Sequence, residues 1–225
     1  MRPSETYVVA DFPPGLVLIP ALEWMWTETV NAILQLQPSL PPGSSIALTR
    51  HLATPAAARN AGIPTFLREP RYEWILFLDA DMAPDQATVI RLLSHNVEAV
   101  GALCFQKGTP FDACFGALPG GPDHPDERGI CPVAYVGTGC LLVRRKTMEA
   151  LTSPWFEHPV PGHGEDVLFC EKIRALGTSV YLDTVCCVGH MSAQPINKAT
   201  AFFYRQFPSN AAQNGIRYTL SGDQA

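Results

Sequence analysis

Five consecutive apolar residues, Trp74-Ile75-Leu76-Phe77-Leu78, end abruptly in Asp79-Ala80-Asp81. A strand that is apolar at every position must be covered on both faces, as a central strand of an α/β sheet is. The chain ahead of it fits that reading. Residues 16–20 form a short apolar run that suits a buried first strand. A helical spacing follows through Leu22, Met25, Trp26, Thr29, Val30, Ile33 and Leu34 and stops before Pro38. Residues 45–49 make a second strand. Thr54-Pro55-Ala56 has the form of an N-cap followed by proline at the first helical position, opening a helix in which a bend is expected at Pro64. After the aspartate pair, Asp85 is placed to cap a helix with Val89, Leu92 and Leu93 on one face, and residues 99–105 form the next strand. Strand and helix alternating at this spacing predict a mostly parallel α/β sheet with right-handed crossovers, in a single domain.

The texture changes at Lys107. Residues 107–130 are rich in Gly, Pro and Asp and read as a long loop or a weak hairpin. Long loops in compact domains are more often functional than decorative. Strand character returns over 133–144, around Gly137-Thr138-Gly139. Gly164-Glu165-Asp166 opens an amphipathic helix through Phe169, Ile173 and Leu176, with Gly177 at its C-cap. Residues 179–188 are the last strand, followed by Gly189-His190. Residues 1–14 read as an N-terminal extension. The stretch 191–225, with one apolar cluster at Phe202, Phe203, Tyr204 and Phe207, reads as a partly ordered arm.

Composition removes several classes of function. With 47% apolar and 16% charged residues, disorder, collagen and coiled coil are excluded. A net charge of −5, with no block of five or more like charges, excludes a general electrostatic grip on nucleic acid. Seven cysteines without a CxxC pair read as buried free thiols rather than a disulfide framework or a zinc site. The first residues lack the basic start and apolar stretch of a signal peptide, and no apolar run approaches the roughly 20 residues of a membrane span. A soluble, cytoplasmic protein is expected.

Ligands of open α/β sheets bind outside the carboxyl ends of the strands. Asp79 and Asp81 stand at such an end and repel each other unless something positive joins them. Mg²⁺ or Mn²⁺ bridging a carboxylate to a substrate phosphate would supply that charge. A strand ending in DxD also suits phosphatases of the haloacid dehalogenase type, with Asp79 as nucleophile. That pattern lies near an N-terminus and runs on into Gly and Thr or Val, whereas here Met82-Ala83-Pro84 follows. Glu165 and Asp166 fall in the first turn of a helix, close to the positive end of its dipole. His190, just after a strand, offers an imidazole able to ligate a metal.

The ordered segments LVLIPALEW, TPAAARNAGIPTFL, WILFLDADMAPDQATVIRLL, AVGALCF, VAYVGTGCLLVRR, GEDVLFCEKI and CVGH, spread over residues 16–190, resemble the GT-A fold glycosyltransferases close to family 2. The placing of ARN ahead of the DxD strand is most similar to small bacterial and phage members. The chain departs from larger members at LTRHLAT, where they carry an acidic DDGS-like segment that contacts the base. The resemblance implies a GT-A (Rossmann-like) sheet flanked by helices. It also implies metal-dependent transfer of a sugar from a nucleotide diphosphate sugar, a UDP-sugar being favoured, to a hydroxyl acceptor.

Carried over position by position, it implies that Asp81 coordinates Mn²⁺ or Mg²⁺, that Asp79 lies near the ribose or the metal's water shell, and that His190 is the third protein ligand. Pro20, Ala21 and Glu23 would line the nucleoside pocket, with Ala80 beside the donor. Arg59 would bind base or phosphate through its planar fork, or form a surface salt bridge, and Arg50 carries the same alternatives. Gly137, Thr138 and Gly139 would flank the donor sugar, where absent side chains permit close approach. Glu165 would accept hydrogen bonds from sugar hydroxyls. Asp166 would be the general base of an inverting reaction, or an orienting group in a retaining one. Trp155 would offer an apolar face to an acceptor, or belong to the core. His163 would touch acceptor or phosphates. Residues 107–130 and the arm from 191 are the acceptor-side candidates. The acceptor is a glycan, a small molecule or a modified base in phage DNA, and the last needs Lys107, Arg144, Arg145, Lys146, Lys198 and Arg205 gathered on one face. Outside the enzymes, the alternative is a non-catalytic sugar-nucleotide-binding module.

Overall fold

The computed structural model describes residues 9–21, 24–50, 54–108, 110–121, 129–157 and 163–192. Strand β1 (Leu16–Ala21) lies between β2 (Ser45–Arg50) and β3 (Trp74–Leu78), parallel to both. The crossovers are helices α1 (Thr27–Leu36) and α2 (Pro55–Arg68). The chain continues through β4 (Met82–Ala83), α3 (Thr88–Ser94), β5 (Ala99–Leu103), β6 (Phe115–Gly116), β7 (Ile130–Val133) and β8 (Tyr135–Val136). It ends in β9 (Cys140–Arg144), α4 (Arg145–Ala150), α5 (Glu165–Ala175), β10 (Val180–Cys187) and β11 (Gly189–His190). The main sheet has seven strands in the order β2-β1-β3-β9-β5-β10-β7, and only β9 and β7 run against the rest. This is the Rossmann-like, mostly parallel arrangement that the glycosyltransferase resemblance implies.

All five residues of β3 are fully buried, as the unbroken apolar run requires. Ile75 and Phe77 face a cluster with Phe66, Phe156 and Phe169, while Trp74, Leu76 and Leu78 face Leu36, Val89 and Leu92. Phe156 stacks on Phe169 at 4.1 Å, and Phe77 meets both edge-on at 5.1 and 5.8 Å. Each such side chain contributes about 1.5–3 kcal/mol by leaving water.

Helix α2 is fastened at both ends. Thr54 Oγ1 accepts from the Ala57 amide at 3.2 Å, the cap that Thr-Pro predicts. At the other end Arg145 donates to the carbonyls of Phe66 (3.0 Å), Glu69 (2.6 Å) and Tyr72, and lies 4.5 Å over the Phe66 ring. A cation on the electron-rich end of a helix offsets its dipole. Pro64 sits inside the helix without ending it. Asn60, whose carbonyl stands where Pro64 has no N–H to offer, ties its side chain to the Phe156 backbone at 2.7 and 2.9 Å. Gly62 is where the helix comes down on β1: a Cβ there would overlap the end of Leu18.

In β10 the carboxylate of Asp183 is fully buried. It accepts from Arg91 at 2.6 and 3.0 Å, meets His95 Nε2 at 2.7 Å, and accepts from the amides of Val185 and Cys186 at 2.9 and 3.0 Å. Burial alone would raise its pKa, but the hydrogen bonds from His95, Arg91 and the two amides win and hold it well below the ordinary carboxylate range. This network binds α3 to β10 where the register with β5 shifts between Asp183 and Cys187.

Several local expectations need correction. Helix α1 starts at Thr27 rather than Leu22, and Pro38 lies in a short 3₁₀ turn after it. Val30 and Leu34, expected on its buried face, are 40% and 61% exposed, because Thr29 and Leu36 occupy that face. Part of the expected N-terminal extension is fastened across the start of β3, with the Pro13 carbonyl accepting from Trp74 Nε1 at 2.8 Å and that of Pro14 from the Glu73 amide at 2.8 Å. Strand β6, in the expected loop, pairs with β8 beyond it, and the single strand expected over 133–144 is divided among the end of β7, β8 and β9. None of the seven cysteines is in a disulfide, and burial pushes the thiols of Cys114, Cys140 and Cys170 up to about 12. No described helix is long and apolar enough to cross a membrane. Residues 1–8, Glu23, 122–128 and the arm beyond residue 192, with Lys198 and Arg205, lie outside the described residues.

Candidate active site

The site lies at the carboxyl end of β3. Strand β9 runs antiparallel to β3, so its first residues arrive where β3 ends, and the Asp79 amide donates to the Gly139 carbonyl at 2.9 Å. The turn through Asp79-Ala80-Asp81 leads into β4, which pairs with β11 so that His190 stands opposite Met82. The Met191 amide donates to the Asp81 carbonyl at 2.7 Å. Backbone bonds therefore fix Asp81 and His190 beside each other.

Each aspartate has its own cation. Arg59, on α2 and 2% exposed, donates through Nη2 to Asp79 Oδ1 at 2.6 Å and through Nη1 to Glu165 Oε1 at 3.0 Å. Its guanidinium lies 5.3 Å over the Phe156 ring, and its Nε is buried with no hydrogen-bond partner among the described residues. Burial disfavours the charge, but Asp79 and Glu165 outweigh it and keep Arg59 protonated. Of the alternatives expected for Arg59 a salt bridge is present, but it is buried rather than on the surface, and its fork spans two acids of the protein.

Asp81 Oδ2 receives Lys107 Nζ and faces His190 Nε2 at 3.5 Å. His190 Nδ1 lies 2.8 Å from the Phe105 carbonyl, which only accepts, so Nδ1 carries a proton. In the neutral ring Nε2 is then the lone-pair nitrogen turned toward Asp81, the orientation that second-shell carbonyls give to metal-binding histidines. Burial would raise the Asp81 pKa, but the hydrogen bond and charge of a His190 ring protonated at both nitrogens, with those of Lys107, prevail and lower it. The expected ligand set of Asp79, Asp81 and His190 is not assembled, since Arg59 holds Asp79; among the described residues no three His, Cys, Asp or Glu are grouped to hold a metal. Asp81 and His190 remain as a pair of donors on one point. That pair fits Mg²⁺ or Mn²⁺, which commonly take one or two protein ligands and complete their shell with water and substrate phosphates.

Glu165 and Asp166 open α5, whose N-cap Gly164 offers no side-chain cap. Asp166 Oδ1 instead accepts from the Val167 amide at 2.8 Å. Its pKa is raised, by burial first and the neighbouring Glu165 charge in addition, against the Val167 bond and Arg59. A Cβ on Gly137 would stand 3.9 Å from Asp166 Oδ2, and one on Gly139 would overlap Met82 and stand 3.5 Å from Asp79 Oδ2. The backbone at both glycines lies directly against its neighbours, Cys114 at Gly137 and Met82 at Gly139, with Thr138 buried between them.

A cleft of about 240 Å³ opens beside the aspartates, lined by Pro20, Trp24, Trp26, Pro55, Ala58, Asp79, Ala80 and Asp81. Trp24 and Trp26 meet edge to face at 5.6 Å, and Trp24 is 66% exposed. Sequence reasoning missed this wall by assigning Trp26 to a helix face. The signal available was a pair of tryptophans two apart, directly after the first strand. Ala21 is buried at the end of β1, and Arg50 is exposed at the end of β2. Trp155 packs against the core with its Nε1 buried and unpartnered among the described residues. His163 is exposed, 3.7 Å from Glu171. The basic residues required for DNA do not gather: Lys107 is at Asp81, whereas Arg144, Arg145 and Lys146 line a cavity at the opposite end of β3.

No protein-family model matches the sequence, and no curated protein matches it in sequence. Among solved structures, the fold is similar to that of A197 from STIV, with a TM-score of 0.62 and 19% identity over 80% of this chain and 86% of that one. The catalytic domain of Drosophila beta1,4galactosyltransferase 7, in complex with xylobiose, aligns with a TM-score of 0.47 and 17% identity over 80% of this chain and 71% of that one. The likeness to A197 is one of fold.

Proposed function

We propose that this chain is a GT-A type glycosyltransferase that uses a divalent cation to move a sugar from a nucleotide diphosphate sugar, a UDP-sugar being favoured, to a hydroxyl acceptor. The observation that carries this reading is the Arg59 bridge. One buried guanidinium joins the acid after β3 to the acid that opens α5, so the DxD and ED segments of the resemblance share one site.

In this reading the nucleoside enters the cleft beside Pro20 and Ala80, where Trp24 and Trp26 give the base an aromatic wall. Asp81 and His190 hold Mn²⁺ or Mg²⁺, which when bound offsets the negative charge growing on the leaving diphosphate. The donor sugar lies along the backbone of Gly137 and Gly139, near Asp79 and Asp166. Glu165, oriented by Arg59, accepts from a sugar hydroxyl through its other oxygen. Asp166 takes the acceptor's proton as its oxygen attacks the anomeric carbon. Partial desolvation makes Asp166 a stronger base than an exposed aspartate, which suits that role. The scattered basic residues favour a glycan or small hydroxyl acceptor over a base in DNA.

The test is calorimetric titration with UDP and GDP, with and without Mn²⁺, on the parent and on Asp81→Ala. One nucleotide is expected to bind in a manner that needs both the metal and Asp81, with the melting temperature of the variant unchanged. Absence of nucleotide binding under every condition overturns the proposal.

A further inference from the structure

The two cations that neutralise the aspartate pair differ in one respect that matters chemically. Arg59 is 2% exposed and anchored on two acids, so it has no route away from Asp79. Lys107 has a side chain 42% exposed, and Asp81 is its one ion-pair partner among the described residues. It is carried on a flexible four-carbon stem and is followed by Gly108, around which a side chain would meet nothing within 4 Å. The groups it faces are fixed. Asp81 is held through its carbonyl by Met191, and His190 through the Met82 pairing and the Phe105 carbonyl. Two rigid donors and one loosely tethered cation therefore meet at a single carboxylate oxygen.

Resting on the reading that Asp81 and His190 take a divalent cation, we infer that Lys107 is a resident counter-ion that competes with that cation for Asp81. It thereby couples metal binding to arrival of the donor. With Lys107 in place, Asp81 is neutralised and a free divalent ion must displace an ammonium to bind. A nucleotide diphosphate changes this balance in two ways. Its phosphates add ligands to the metal, and they give the released ammonium another anion to pair with. Metal and nucleotide then bind more tightly together than either does alone, and by linkage each raises the other's affinity by the same factor.

The test is Mn²⁺ binding without nucleotide, read as loss of the free-ion electron paramagnetic resonance signal, on the parent, Lys107→Met, Lys107→Arg and Asp81→Asn. Lys107 is exposed enough that its substitution leaves the core alone. Lys107→Met is expected to tighten Mn²⁺ binding about three- to tenfold, the factor by which a pair formed most of the time lowers apparent affinity. Lys107→Arg is expected to stay close to the parent and Asp81→Asn to lose binding. Repeating the titration with UDP is expected to show a smaller gain from nucleotide in Lys107→Met than in the parent. If Asp81→Asn loses Mn²⁺ while Lys107→Met binds no better than the parent, the metal site stands and the competition is refuted. If no variant and not the parent binds Mn²⁺, with or without UDP, the metal reading falls and the competition with it.

Discussion

Arg59 Nη2 lies 2.6 Å from Asp79 Oδ1, a buried cation meeting an anion whose side chain is still 28% exposed. The same guanidinium reaches Glu165 at 3.0 Å, so its removal strands two acids at once. Arg59→Met is expected to cost about 3 kcal/mol, the lower end for breaking a buried pair because both acids keep some contact with water. Arg59→Lys retains the charge but not the fork and is expected to fall between the two. Urea denaturation of the three proteins measures the stability, and the UDP titration measures whether the site is lost with the bridge.

Asp166 is expected to be needed for transfer and not for folding. Its folded pKa is raised, so the protonated form contributes stability at low pH that is lost as pH rises through the folded value. At neutral pH its ionisation is a net cost to the fold. Asp166→Asn, which keeps an oxygen for the Val167 amide, is therefore expected to hold or raise Tm at pH 7 and to remove transfer in an inverting enzyme. Transfer by the parent is expected to rise with pH through that raised pKa, since the base must be ionised. Transfer by the variant at the parental rate would remove Asp166 from the role of base.

Asp183 carries the opposite sign. Its folded pKa is depressed, so its contribution is fully present above the unfolded pKa of about 3.9 and is lost progressively as pH falls below it. Asp183→Asn leaves Arg91 and His95 facing a neutral group and is expected to cost about 3–5 kcal/mol at pH 7. Urea midpoints of parent and variant should differ equally at pH 7 and 5 and only begin to draw together at pH 3, because the folded pKa lies well below the ordinary range.

Gly62→Ala reverses the usual preference of helices. In an open helix the change gains about 1 kcal/mol. Here the added methyl would overlap Leu18, which lies inside the core, and overpacking costs about 1–3 kcal/mol. A net loss of about 1 kcal/mol is expected from thermal unfolding, and a gain would show that α2 can lift off β1.

What the sequence disclosed was set by local chemistry. The run from Trp74 to Leu78 left one solution, and Thr54-Pro55 and Gly164-Glu165-Asp166 marked helix starts through caps and charge. The direction of β9 was not legible, because an apolar strand has the same composition whether it pairs parallel or antiparallel. The partners of Asp79 and Asp81 were equally hidden. That a positive group must join the acids followed from their spacing, but that Arg59 and Lys107 supply it depends on how α2 and the loop after β5 meet β3. Trp26 was absorbed into a helical period that begins only at Thr27.

Strand β9 enters the sheet at the end where its neighbours leave it, with Cys140 opposite Leu78 and Arg144 opposite Trp74. The mouth of the site is therefore framed by chain arriving as well as chain departing. The residues between Leu103 and Cys140 have both ends clamped in the sheet, one in β5 and the other in the neighbouring β9, and they include β7 of the same sheet. A change in that stretch therefore bears on β5 and β9 together, and through β9 on the strand that ends in Asp79.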